Sequence, residues 1–113
     1  MDFKKAVFYF SNTDKVQHKP LYVALLELAK ANKIEGATVL KGISGFGKSS
    51  KYQSSTLFEL TDKSPIIVYV IDEKEKLLNF IEKAKELLEK AQKGVLITIE
   101  DVDIIHYHIG KNY

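Results

Sequence analysis

The sequence predicts an α+β fold: one antiparallel sheet with two helices on a single face. Three observations lead there. Short segments rich in β-branched and aromatic residues stand at Lys4–Ser11, Thr38–Leu40, Ile66–Ile71 and Val95–Glu100. Two intervening stretches, after Pro20 and after Asp72, instead repeat their apolar residues at three- and four-residue spacing. Glycine, proline or serine punctuates most of the junctions between the two periods.

Lys4 to Ser11 is closed by the turn-forming run Ser11-Asn12-Thr13-Asp14, which makes it a strand with its exit loop. From Pro20, the residues Leu21, Ala24, Leu25 and Leu28 recur on one helical face. Proline suits a first helical turn and Gly36 follows the last periodic residues, so this helix runs to about Ile34. Thr38-Val39-Leu40 opens a second strand that runs into Gly42, Gly45 and Gly47, and the polar stretch Lys48 to Thr56 has no period, as in an exposed loop. Leu57 to Leu60 reads as a short return strand, and Ser64-Pro65 precedes the most β-like segment, Ile66 to Ile71. Asp72 and Glu75 have capping-box spacing at the start of a second helix, whose inner face is Leu77, Ile81, Ala84, Leu88 and Ala91 and which Gly94 ends. Val95 to Glu100 is the last strand, resuming over Ile104 to Ile109. The order is βαββαβ, the split βαβ or ferredoxin-like arrangement, with residues 1–113 as one domain.

Such a sheet raises a physical problem. In the third strand Ile66, Val68 and Val70 point one way and Ile67, Tyr69 and Ile71 the other, so both faces are apolar while the helices cover only one. The uncovered face is expected to pack against other copies of the chain, closing three of them around an axis.

Composition removes several classes of function. The net charge of +2 arises from 17 basic and 15 acidic residues spread along the chain, without the basic blocks that nucleic acid or an anionic membrane attracts. No nucleic-acid partner is expected. The absence of cysteine excludes disulfides, thiolate catalysis and Cys-ligated zinc. The longest apolar run, Pro65 to Ile71, is far too short to span a bilayer, and the N-terminus runs into a strand rather than a signal peptide, so a cytoplasmic protein is expected.

The chemistry concentrates at Gly42-Ile43-Ser44-Gly45-Phe46-Gly47-Lys48-Ser49, which matches the Walker A pattern, while Ile66 to Asp72 imitates a Walker B strand. A P-loop needs a helix directly after its glycines, and Ser49 to Thr56 shows no amphipathic period. Nucleotide hydrolysis is therefore a second reading. Glycines also let backbone amides approach an anion, with Lys48 as a mobile charge and Ser49, Ser50, Ser54 and Ser55 as hydroxyl donors. A bulged strand end with a polar hairpin loop explains the same residues without a ligand.

His18-Lys19-Pro20-Leu21-Tyr22, Gly36-Ala37-Thr38-Val39, Lys41 to Gly47, Ser64-Pro65-Ile66-Ile67-Val68 and Gly94 to Val102 together resemble the PII-like family known as domain of unknown function 190, or uncharacterised protein family 0166. The resemblance covers nearly the whole chain. It implies a homotrimer that holds an adenine nucleotide (AMP, ADP or ATP) in clefts between subunits, near Gly42, Gly45, Phe46, Gly47 and Lys48. It also implies that the following loop, Ser49, Ser50, Lys51, Tyr52, Gln53, Ser54 and Ser55, meets a protein partner. Fluoride-exporter genes lie near some members, which brings membrane transporters among the partner classes. His106 and His108 fall where PII proteins present arginines to nucleotide phosphate. The turn Gln92-Lys93-Gly94 is shorter than the phosphate-gripping loop of PII proteins, and Lys51-Tyr52-Gln53 does not match their modified loop, so no modification of Tyr52 is carried over.

His106 and His108, two apart, share one side of a strand, and with a third ligand they suit a transition metal; a metal-responsive trimer similar to the CutA proteins is a third reading. No nucleophile, base and orienter set stands out, and no Gly-x-Ser-x-Gly elbow is present. A binding module rather than an enzyme is expected.

Overall fold

A computed structural model describes residues 2–47 and 63–111. In chain order these form strand β1 (Phe3–Ser11), a short hairpin of β2 (Lys15–Val16) and β3 (Lys19–Pro20), helix α1 (Leu21–Ala31), strands β4 (Ala37–Lys41) and β5 (Pro65–Glu73), helix α2 (Lys74–Ala91) and strand β6 (Leu96–Val102). The main sheet has the order β4-β5-β1-β6 and every neighbouring pair is antiparallel. The α+β, ferredoxin-like arrangement read from the sequence is the one observed. The expected return strand Leu57–Leu60 lies outside the described residues.

Register explains the core. Ala6, Phe8 and Phe10 alternate onto the same face as Ile66, Val68 and Val70, and all six are buried. Leu21, Leu25 and Ala29 of α1 and Leu77, Phe80, Ile81, Ala84 and Leu88 of α2 close over them in one hydrophobic cluster. At its centre the rings of Phe8 and Phe80 meet edge to face, 6.0 Å between centroids.

Neither helix covers the other face. It presents Leu40 of β4, Ile71 of β5, Tyr9 of β1 and Leu96 of β6, each 39 to 58% exposed, around a buried Val7. Lys5 lies across this face, its ammonium 4.3 Å from the centre of the Tyr69 ring and 3.4 Å from Glu100. The two-sided apolar pattern of the sequence is thus real.

Several local expectations are corrected. Pro20 ends β3 and caps α1 from outside, and the helix begins at Leu21. It stops at Ala31, before Ile34, because Lys33 turns left-handed (φ 61°) and Ile34 N–H donates back to Ala29 O at 3.0 Å, so the lysine occupies the backbone conformation expected of a glycine. Likewise Gln92 (φ 53°) ends α2, two residues before Gly94. The capping box does not form. Asp72 stays in β5 with its carboxylate buried, accepting from the N–H of Glu73 at 2.7 Å and of Glu35 at 3.2 Å, with the Lys76 ammonium at 3.4 Å. It joins the start of α2 to the loop after α1 rather than capping through Glu75. Finally, no strand resumes at Ile104 to Ile109.

Candidate functional site

β5 and β1 define two ends of the sheet. At one, Ser11 faces Pro65 and Lys41 faces Ile66; at the other, Phe3 faces both Glu73 and Val102. With nine residues in β5, these ends stand about 27 Å apart at roughly 3.4 Å per residue.

The glycine segment leaves β4 at the Ser11 end. Gly42 N–H donates to Pro65 O at 2.8 Å, carrying the β4–β5 pairing one residue past the strand. A Cβ at Gly42 would stand 2.7 Å from Pro65 Cγ, so the close approach of the proline ring explains this glycine. Gly45 and Gly47 are different. A Cβ at Gly45 would meet only Pro65 Cγ, at an ordinary 3.5 Å, and at Gly47 it would meet nothing within 4 Å. No described glycine has a positive φ. Among the described residues, neither crowding nor backbone handedness requires glycine at these two positions. Between them Phe46 is 85% exposed, and Ile43 is fully exposed. The same end is tied together below: Asn12 N–H donates to Ser64 O at 2.9 Å, Ser64 N–H donates to Asn12 Oδ1 at 2.7 Å, and Ser11 N–H donates to the buried Asp14 carboxylate at 3.1 Å. Lys48 and the expected partner loop, Ser49 to Ser55, lie outside the described residues.

The histidines are at the opposite end. Past Val102 the exposed residues 103–110 form neither helix nor strand, and the Tyr107 hydroxyl donates to Glu35 Oε2 at 3.3 Å, beside the start of β4. The His106 and His108 rings stand side by side with centres 6.2 Å apart, so they share a side without belonging to a strand. One chain thus keeps Gly42–Gly47 and His106/His108 apart, and they share a cleft only if two copies meet. Two shallow grooves, one lined by Lys85, Leu88, Lys93 and Ile97 and the other by Val16, Lys19, Leu28 and Leu87, contain none of the expected site residues.

The strand before the glycines runs antiparallel to its neighbour, whereas a P-loop sits in a parallel sheet. A family model for domain of unknown function 190, described as an uncharacterised ACR, matches residues 3–104. The chain belongs to the DUF190 family.

A UPF0166 protein of Aquifex aeolicus (strain VF5) is 39% identical to this DUF190 chain over 104 residues, which cover 91% of the chain and 94% of the relative. A UPF0166 protein of Methanocaldococcus jannaschii is 29% identical over 105 residues, covering 93% and 91%. Among solved structures, CPII, a nitrogen regulatory PII-like protein from Thiomonas intermedia K12 bound to ADP, AMP and bicarbonate, is similar with a TM-score of 0.65 at 13% identity, over 92% of this chain and 96% of CPII. A second structure of CPII, bound to ADP and bicarbonate, gives a TM-score of 0.66 at 15% identity over 92% and 89%. At such identities the likeness is one of fold, and the fold is PII-like.

Pro65, Glu35 and Tyr107 were not singled out as site residues in the sequence. Pro65 carried a signal, a proline at a strand start following a glycine segment; Glu35 carried none, since nothing local links it to a tyrosine 72 positions away.

Proposed function

We propose that this DUF190 protein is a non-catalytic PII-like regulator that assembles as a homotrimer and binds an adenine nucleotide between copies. The observation that carries the reading is the separation of its parts: a glycine segment at one end of the sheet, a displayed histidine pair at the other, and an apolar face left uncovered between them. Packing that face against other copies removes its exposed Leu, Ile and Tyr from water, and gives the glycine segment of one copy a neighbouring surface. Glycine at positions 45 and 47 puts no side chain between the backbone and an approaching phosphate. CPII, which shares the fold, binds ADP and AMP. Phe46 offers a ring beside those amides and Lys48 a charge for the phosphates, with His106 and His108 completing the cleft from a second copy. Ser49 to Ser55 presents the bound state to a protein partner, a membrane transporter being one such class. The chain acts in the cytoplasm, as a single domain; among the described residues, no helix is long and apolar enough to cross a membrane.

Titration with AMP, ADP and ATP, followed by a product assay, tests this directly. Saturable binding without turnover is expected. Magnesium-dependent release of phosphate would replace the regulator with a hydrolase, and no binding of any of the three would overturn the reading.

A further inference from the structure

The exposed segment after β6 carries one tyrosine that is hydrogen-bonded back to the fold and a histidine on either side of it. Tyr107 reaches back to Glu35, its hydroxyl 3.3 Å from Oε2, and ties the segment to the connection between α1 and β4. Its neighbours His106 and His108 are both exposed, with ring centres 6.2 Å apart and planes 60° apart. The tyrosine is the anchor and the histidines are the display.

We propose that His106 and His108 form an exposed two-imidazole site for a divalent late first-row transition ion, of the class of copper(II), nickel(II) and zinc(II). Imidazole is the nitrogen donor these ions favour. Metal–nitrogen bonds of about 2.0–2.1 Å put the centres of two imidazoles on one ion roughly 4.5–5 Å apart, at the right angle of tetragonal copper(II) or the wider angle of tetrahedral zinc(II). Closing the pair from 6.2 Å asks the ring centres to approach by about 1–2 Å, and as exposed side chains they have the freedom to do so. Held two apart on one tethered segment, the donors lose little entropy on binding. Among the described residues no group of three or more His, Asp or Glu converges on a metal position, so among them the two imidazoles are the donors and water or a further group completes the coordination. That makes the site one for a labile ion rather than a structural ion enclosed by protein ligands. It is made by one chain and requires neither nucleotide nor Gly42 to Gly47, although the nucleotide reading draws on the same histidines.

The test is a titration of copper(II) chloride into the full chain, carrying no histidine tag and no nucleotide, read by calorimetry and by electron paramagnetic resonance. Binding with imidazole nitrogen coupling in the resonance spectrum is expected. His106→Ala and His108→Ala should each weaken it by more than the roughly 10–100-fold that loss of an outer-shell partner costs. His18→Ala, which removes the chain's third histidine, should leave it unchanged. Affinity unaltered in both the His106 and His108 variants, or a spectrum without imidazole coupling, would overturn the proposal. Because nucleotide is absent throughout, failure here leaves the nucleotide reading standing, and success does not support it.

Discussion

Gly42→Ala probes how the glycine segment is fixed to the sheet. The added methyl would stand 2.7 Å from Pro65 Cγ, closer than non-bonded carbons approach, so the ring or the strand that carries it must shift. Pro65 faces Ser11 on one side and accepts the Gly42 N–H at 2.8 Å on the other, so moving it disturbs both pairings. The penalty belongs with other over-packed sites, about 1–3 kcal/mol. With a urea slope of about 1–3 kcal/mol/M for a small protein, the unfolding midpoint should fall by roughly 1 M. Chain concentration must be held constant, because the proposed assembly would make the midpoint depend on it. Pro65→Ala removes the ring the methyl collides with, so the double variant should recover most of the loss as a coupling energy between the two sites. Gly47→Ala is the control, since its methyl meets nothing within 4 Å among the described residues and should not lower the midpoint. A Gly42→Ala midpoint equal to that of the parent, or a cycle without coupling, would refute the steric reasoning.

Leu40→Asp, on the uncovered face where Leu40 is 41% exposed, should cost the single chain little but dissociate the proposed homotrimer, seen as a fall in sedimentation coefficient with an unchanged circular dichroism spectrum. Asp72→Ala should cost about 2–3 kcal/mol in chemical denaturation, because a buried carboxylate that receives two backbone N–H groups and pairs with Lys76 disappears and the N–H groups lose their partner. The Lys4–Asp101 pair gives a pH test. Its hydrogen bond and charge attraction hold the Asp101 carboxyl below its usual range and raise the Lys4 ammonium above its own. A lowered carboxyl favours the fold above its unfolded value and loses that contribution as pH falls through the lowered one; a raised ammonium loses its contribution as pH climbs through the raised one. Asp101→Asn should therefore flatten both the acid and the alkaline limbs of stability against pH, and limbs unchanged in that variant would count against the pairing.

Most of the fold was legible in the sequence, for a physical reason. Strand and helix periods differ, and Phe8, Val68, Leu77 and Leu88 lie where those periods put them because burial selects for period directly. The misses are of another kind. Lys33 and Gln92 take left-handed conformations usually given to glycine, and local composition does not announce a lysine or glutamine willing to bear that cost. Asp72 had a capping partner at the right spacing, yet its carboxylate went to Glu35, a choice made by tertiary proximity. For the proposed site, the sequence named residues but not their layout. Spacing marked Gly42 to Gly47 and the paired histidines, but only strand register reveals that they occupy opposite ends of one sheet.

That layout makes the central claim testable by mixing. If nucleotide sits between the glycine segment of one copy and the C-terminal segment of another, a Gly47→Val chain and a His106→Ala/His108→Ala chain should each bind ADP poorly alone. Refolded together they should form clefts with intact residues on both sides, restoring binding to about a quarter of the parental sites under random mixing in a closed ring. Two defective variants that stay defective when mixed, or that bind ADP normally when separate, would contradict a site shared between copies.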